Sequence, residues 1–301
     1  MAPLADFILA HVPLPTLPYY LTSYVKGKTP LSTPWEVFPT LLAYLVIIFS
    51  TQAFMKDRAP FRPQRLFQLH NVILSGGSLL LMVLILEEVI PMVFKNGVFF
   101  GMCSTDMWTS HLEFYYLVNY FFKYLELLDT VFLALKKKPL AFLHVFHHSA
   151  TALLCYTQLN GKTSVQWIPI SINLAVHVLM YYYYYATAGG AKIWWKKYLT
   201  TMQIVQFVID LFAVYFATYN YYAANYFPHL PNFGTCAGTE SAAVFGCLLL
   251  SSYLGLFIDF YIQTYKKPAK GKAVANGKAN GKANGNGVAN GKANGHASKS
   301  E

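Results

Sequence analysis

Seven long apolar segments are the feature that most limits what this chain can fold into. A helix needs roughly 20 mostly apolar residues to cross about 30 Å of hydrocarbon. The chain offers such segments at about 36–55, 71–94, 112–135, 139–159, 165–188, 199–224 and 242–265. Only 12% of its residues are charged, whereas a soluble domain carries about 25%. We therefore predict an all-α polytopic membrane protein with seven transmembrane helices.

The segments divide the chain into three parts: an N-terminal segment at 1–35, a membrane domain at 36–265 and a tail at 266–301. The tail contains 8 Lys and 1 Glu and repeats Gly-Lys-Ala-Asn without apolar periodicity, which predicts disorder. Since the tail supplies +7 of the net charge of +10, the basic balance does not indicate a nucleic-acid groove, and we expect no nucleic-acid partner.

Lysine and arginine predict the orientation, because short cytosolic loops are enriched in both. The loops after the first, third and fifth segments share one side with the tail and carry ten such residues: Lys56, Arg58, Arg62, Arg65, Lys136, Lys137, Lys138, Lys192, Lys196 and Lys197. The opposite side has four. We expect a lumenal N-terminus and a cytosolic C-terminus.

Two of the four cysteines, Cys103 and Cys236, fall on the predicted non-cytosolic side, where oxidation is permitted. We predict a disulfide between them. Two free thiols remain the alternative, since spacing alone does not define connectivity.

Polar and ionisable residues inside the spans are the best functional signal, because they are costly in hydrocarbon. They are Lys123, Glu126 and Asp129 in the third segment, His144, His147 and His148 in the fourth, Asn173 and His177 in the fifth, and Gln203 and Gln206 in the sixth. At a rise of about 1.5 Å per residue, most lie roughly 6 to 16 Å from the cytosolic helix ends. This shared depth predicts a polar chamber open to the cytosol.

Structural explanations stay open for several of these residues. His177 alone is compatible with a packing role, Lys123 and Glu126 with a structural ion pair, and the glutamines with helix–helix hydrogen bonds. The run from Tyr181 to Tyr185 is typical of an interfacial aromatic belt, with some hydroxyls lining the chamber. Three histidines on one helical turn have little packing value, so we assign them a function.

Clustered histidines suggest metal ligation or acid-base and nucleophilic catalysis. A di-iron desaturase needs about eight histidines in three boxes, and the remaining histidines here are isolated, so we predict no metal. A transporter with a histidine and aspartate proton relay is the alternative from another class.

Four motifs in order resemble the ELO family of fatty acid elongases. They are Lys123-x-x-Glu126-x-x-Asp129-Thr130, His144-x-x-His147-His148, Asn173-x-x-Val176-His177-x-x-Met180-Tyr181 and Thr200-x-x-Gln203-x-x-Gln206. The resemblance covers about 36–265 and is nearest in appearance to the fungal branch that acts on saturated and monounsaturated acyl chains.

The resemblance implies a 3-ketoacyl-CoA synthase of the endoplasmic reticulum membrane, which condenses long-chain acyl-CoA with malonyl-CoA. It implies helices two to seven around a narrow acyl tunnel, and no cofactor. The expected partners are the lipid bilayer and the ketoacyl-CoA reductase, hydroxyacyl-CoA dehydratase and enoyl-CoA reductase of the elongation cycle. A homo-oligomer stays open.

Roles for the residues follow from this resemblance and from the reactivity of imidazole near neutral pH. His147 is expected to take the acyl group as an acyl-imidazole, and His177 to act as base or oxyanion donor. His144 and His148 would orient rings or move protons, and Asp129 and Glu126 would fix imidazole tautomers. The remaining residues are expected to bind substrate: Lys123, Asn173, Tyr181, Gln203 and Gln206 in the chamber, and Lys136, Lys137, Lys138, Lys196 and Lys197 on the CoA phosphates, although the orientation rule alone also explains these lysines.

Overall fold

The computed structural model describes residues 3–13 and 17–266, and all regular secondary structure in these ranges is helical. The predicted tail lies outside the described residues except for Lys266. The helices are α1 Pro3–His11, α2 Tyr19–Thr22, α3 Pro34–Phe54, α4 Gln64–Asn96, α5 Val98–Cys103, α6 Ser110–Glu126, α7 Leu128–Leu135, α8 Phe142–Gly161, α9 Trp167–Ala188, α10 Lys196–Tyr226 and α11 Glu240–Tyr261.

Within the described residues, five helical segments are long and apolar enough to cross a membrane. They are Pro34–Phe54, Gln64–Asn96, Ser164–Ala188, Lys196–Tyr226 and Glu240–Lys266. These five correspond to the first, second, fifth, sixth and seventh predicted spans. The third and fourth predicted spans are also helical, as α6 with α7 and as α8. Neither α6, with 17 residues, nor α7, with 8, is long enough by itself, and the histidines and amides of α8 lower its mean hydropathy.

The third predicted span differs from expectation because it is broken at Leu127. The Leu127 N–H donates to the Tyr124 carbonyl and the Thr130 N–H donates to the Leu127 carbonyl, both at 3.2 Å. These are i to i−3 contacts, which tighten the backbone relative to an α-helix. The break leaves Glu126 at the end of α6 and Asp129 in the first turn of α7.

Six units pack in a closed order around one interior. Helix α4 contacts α6 and α9, α6 contacts α8, α8 contacts α11, α11 contacts α10, and α10 contacts α9. Helix α3 packs instead against α7, where the Tyr44 hydroxyl donates a 2.7 Å hydrogen bond to Thr130 Oγ1. Polar residues of α6 to α10 are buried within this arrangement, among them Lys123, Glu126, His148, His177 and Gln206.

A disulfide closes one end of this helix arrangement. Cys103 at the end of α5 is bonded to Cys236 in the connection between α10 and α11, and the Ala237 N–H donates to the Cys103 carbonyl at 2.8 Å. Cys155 and Cys247 are free. The bonded pair is the one expected from the sequence.

The N-terminal helix α1 is attached to α4 at the same end. The backbone N–H groups of Leu4 and Ala5 donate to the Glu87 carboxylate at 2.9 to 3.2 Å. A carboxylate at a helix N-terminus accepts hydrogen bonds from otherwise unpaired donors and is attracted to the positive end of the helix dipole. Helix α1 is thereby attached to α4.

Candidate active site

A buried polar network links α6 to α9. Lys123 Nζ donates 2.8 Å hydrogen bonds to Glu126 Oε1 and to Asn173 Oδ1. His177 Nδ1 lies 3.2 Å from the same Glu126 oxygen, although the ring is not aligned for a hydrogen bond. The Asn173 amide nitrogen lies 3.3 Å from His177 Nε2. Two residues from each helix therefore share one network, and the Lys123–Glu126 pair left open by the sequence is present.

Asp129 is held by two partners on its two oxygens. His70 Nε2 lies 2.9 Å from Oδ1, and the Tyr181 hydroxyl donates to Oδ2 at 2.8 Å. Asp129, His70 and Tyr181 are all buried. Asp129 was expected to fix an imidazole tautomer, and the imidazole beside it is His70 on α4, which is outside the four motifs.

His144, His147 and His148 form a histidine box along one side of α8. The His144 and His148 rings are 4.3 Å apart between centroids, and His144 Nε2 and His148 Nδ1 are buried without a partner in the described structure. The His147 ring packs against Tyr253 and Phe257 of α11, at centroid distances of 4.8 and 5.7 Å. Among the described residues we find no hydrogen-bond partner for the His147 ring, which leaves its nitrogens available to a ligand.

These elements enclose a chamber of about 170 Å³. Eight of the predicted site residues line it: Asp129, His144, His147, His148, Asn173, His177, Gln203 and Gln206. Its other walls are largely apolar, including Val176, Met180, Phe207 and Phe257. Imidazoles from α8 and α9 thus face the same space, together with amides from α9 and α10.

A second, smaller cavity of about 50 Å³ shares the wall residues His147, Asn173, Gln206 and Phe207 with this chamber. It continues along α8 to Cys155 and along α10 to Asp210. The Gln206 amide nitrogen lies 3.4 Å from Asp210 Oδ2, while Asp210 Oδ1 has no partner in the described structure. The shared wall, which includes His147, therefore separates the main chamber from this smaller cavity.

Several predicted site residues lie outside the main chamber. Lys123 lines the smaller cavity, while Glu126 and Tyr181 lie behind the chamber wall and contact residues that line it. Tyr181 is fully buried, and its hydroxyl donates a hydrogen bond to Asp129. The interfacial-belt interpretation is therefore wrong for this residue. Tyr184, in contrast, does line the chamber.

None of the five predicted CoA-binding lysines lines the chamber. Lys196 and Lys197 are exposed at the start of α10. Lys137 Nζ donates to the carbonyl oxygens of Lys56 and Arg58 at 2.8 and 3.0 Å. Lys136 Nζ lies 3.0 Å from the centre of the Phe67 ring, and partial burial lowers the pKa of Lys136.

The sequence did not reveal that His70 belongs to the site, where it contacts the chamber residue Asp129. It is separated from Asp129 by 59 positions, and nothing in the local sequence marks its partner. Its place near the start of a long apolar helix was the available signal, because an imidazole buried in a span usually needs a polar contact.

Within residues 3–13 and 17–266, no group of three or more His, Cys, Asp and Glu side chains has the arrangement of a metal site. The absence of a metal in the working enzyme stays a prediction.

Comparison with known proteins agrees with the motif resemblance. The family model described as "ELO: GNS1/SUR4 family" matches residues 29–273. Putative fatty acid elongase 1 of Schizosaccharomyces pombe is 53% identical over 237 residues, which cover 79% of this chain and 71% of the relative. Putative fatty acid elongase 2 of the same yeast is 44% identical over 237 residues, covering 79% of this chain and 65% of the relative.

A more distant relative covers a similar part of the chain. Fatty acid elongase A of Dictyostelium discoideum is 34% identical over 236 residues, which cover 76% of this chain and 83% of the relative. The family model and the two yeast relatives confirm the prediction from the four motifs: the chain belongs to the ELO family of fatty acid elongases, in its fungal branch.

Proposed function

We propose that this protein is a 3-ketoacyl-CoA synthase, which condenses a long-chain acyl-CoA with malonyl-CoA and releases carbon dioxide and CoA. One observation carries the proposal: His147 and His177, from two helices, line the same chamber, and the His147 ring has no hydrogen-bond partner among the described residues. A nucleophile must be accessible to the substrate, whereas a base is usually oriented by a third group.

The first half-reaction is acyl transfer to His147. A ring nitrogen attacks the thioester carbonyl carbon, the C–N bond forms, and the C–S bond breaks. The departing CoA thiolate takes up a proton and leaves as the thiol. The product is an acyl-imidazole, with the acyl tail directed past the wall shared with the smaller cavity.

The second half-reaction uses malonyl-CoA. Its carboxylate leaves as carbon dioxide, and the electron pair passes to the thioester as an enolate. The enolate carbon attacks the acyl-imidazole carbonyl, so that a C–C bond forms and the C–N bond to His147 breaks. The imidazole returns neutral, and the net reaction consumes one proton.

The polar neighbours would act on the charges that develop. His177 lies beside Glu126 and Asn173, which suits it to hold a proton near the malonyl unit. The amides of Asn173 and Gln206 lie at the wall shared by both cavities, where a donor would stabilise an oxyanion on the acyl carbonyl. His144 and His148 would orient the box.

The closed order of helices supports an acyl tunnel. From the chamber, the smaller cavity extends along α8 to Cys155, and a further cavity begins one turn beyond, with Gln158 and the disulfide residue Cys236 in its wall. We propose that the acyl chain runs in this direction and that all seven predicted helices span the membrane.

Other parts of the proposal rest on family membership and on loop charges. We place the protein in the endoplasmic reticulum membrane, with the N-terminus lumenal and the C-terminus cytosolic. We expect exposed lysines, including Lys196 and Lys197, to hold CoA phosphates by charge-assisted contacts. The reductase, dehydratase and enoyl reductase of the cycle would use its product.

A product assay tests this function. Purified protein is incubated with malonyl-CoA and a panel of acyl-CoAs, with and without a chelator, and products are identified by mass spectrometry. We expect 3-ketoacyl-CoA two carbons longer than the acyl donor, in unchanged yield with the chelator. Oxygen uptake would support a desaturase-like enzyme instead, and substrate movement across vesicles without product would support a carrier.

A further inference from the structure

A cavity on the outside of the bundle is not explained by the condensation site. It has a volume of about 510 Å³ and lies between the end of α3 and the connection after α7. Its walls are Phe49, Gln52, Ala53, Lys56, Ala134, Lys137, Lys138 and Pro139. It shares no lining residue with the active-site chamber.

The cavity combines an apolar wall with a cationic rim. Ala53 is in the last turn of α3 and Phe49 lies about one turn before it, while Ala134 is in the last turn of α7. Lys56 and Lys138 are exposed at the point where both helices end. An apolar face below a pair of ammonium groups matches a lipid acyl chain below a phosphate.

The positive charge of the two loops that adjoin the cavity is not neutralised by the protein. Positions 56–65 and 136–138 contain four Lys and three Arg against one acidic residue, Asp57. Within the described residues, no carboxylate forms an ion pair with any of these cations. The excess positive charge therefore remains available to an anion in the membrane surface.

Lys137 has a different role from its two neighbours. Its ammonium group donates to the Lys56 and Arg58 carbonyls, and the Phe61 N–H donates to the Leu135 carbonyl at 3.0 Å. These contacts attach the loop after α3 to the end of α7. The Lys137 ammonium group is thus engaged by backbone carbonyls, whereas those of Lys56 and Lys138 have no ion-pair partner among the described residues.

We propose that this cavity binds an anionic glycerophospholipid, with its phosphate between Lys56 and Lys138 and one acyl chain along Phe49 and Ala53. A juxtamembrane lysine attracts anionic lipid headgroups. The lipid would fill the contact between α3 and the rest of the bundle. The proposal depends on α3 and α7 ending at a membrane surface, and it does not depend on the condensation reaction.

Retention of lipid by the full chain tests the proposal. Protein is reconstituted in vesicles of phosphatidylcholine and phosphatidylserine, released gently, and bound lipid is counted by native mass spectrometry. The wild type is expected to retain phosphatidylserine above its share in the vesicle. Lys56→Ala should lower this enrichment by about fivefold, while Arg65→Ala, which removes one exposed cation away from the cavity, should not.

A second variant separates a shaped site from general attraction by charge. Ala53→Trp keeps every lysine but fills the cavity, so the enrichment should be lost, while Ile47→Trp adds the same side chain to another exposed position of α3. Equal retention by Ala53→Trp and wild type, equal losses in Lys56→Ala and Arg65→Ala, or displacement of the lipid by malonyl-CoA would each overturn the proposal. Thermal unfolding of each variant checks its fold.

Discussion

Glu126 and His177 are in direct contact between two helices, with His177 Nδ1 3.2 Å from Glu126 Oε1. The same oxygen accepts the hydrogen bond from Lys123. One carboxylate thus compensates a buried ammonium group and lies beside a ring that lines the chamber. The stability of this part of the bundle and the chemistry that we propose for it depend on the same atom.

Removing one member of the Lys123–Glu126 pair should destabilise the protein strongly. Glu126→Leu leaves a buried ammonium group without its counter-charge, a loss of about 3 kcal/mol or more. The double variant Lys123→Met with Glu126→Leu should recover much of this loss. Thermal unfolding in detergent measures both, and a double variant less stable than Glu126→Leu would contradict the ion-pair account.

The two halves of the reaction should separate in His177→Ala. Because acyl transfer is assigned to His147, this variant should still release CoA from acyl-CoA when malonyl-CoA is absent. Ketoacyl formation should fall by about 100-fold or more, as expected for a lost general acid or base. His147→Ala should abolish both steps. Loss of CoA release in His177→Ala, with the fold intact, would show that its role begins earlier.

Tyr181 is predicted to act through Asp129. Tyr181→Phe removes one of the two hydrogen bonds to this carboxylate and should lower stability by about 1 to 3 kcal/mol. The exposed neighbour Tyr182 is the matched control, and Tyr182→Phe should have little effect. If the two variants unfold at the same temperature, the buried contact to Asp129 does not contribute as described.

Charge reversal at Lys196 and Lys197 tests the proposed CoA contacts. The double variant with Glu at both positions should raise the KM for malonyl-CoA by roughly tenfold or more, because each exposed pair contributes up to about 1 kcal/mol. Its kcat and expression level should stay near those of the wild type. Unchanged KM at low salt would leave these lysines with the role of orienting the chain in the membrane.

The sequence was most informative where apolar residues make up most of a long helix. Five of the seven predicted spans reappear as long apolar helices, because burial in lipid requires apolar residues along the whole span. The break at Leu127 was not predictable in this way. Leu127 lies between Glu126 and Leu128, without a glycine or proline beside it, and the tighter turn is defined by backbone contacts that no side-chain pattern marks.

The site was predictable in its members more than in its pairings. Periodicity placed Lys123, Glu126 and Asp129 on one face of a helix, but it could not show that Asp129 pairs with His70. Such a pairing depends on the way α4 packs against its neighbours. Tyr181 was misassigned for a related reason, since a tyrosine run at a span end looks the same whether its hydroxyls face the interface or a buried carboxylate.

Mapping the acyl group on the protein tests the central claim most directly. Purified protein is given acyl-CoA without malonyl-CoA, digested at once, and analysed by mass spectrometry for the peptide that gains the acyl mass. We predict that the acyl group is on His147, that Cys155→Ala retains it, and that adding malonyl-CoA removes it as 3-ketoacyl-CoA. An acyl group on Cys155, or ketoacyl formation by His147→Ala at the wild-type rate, would contradict the account.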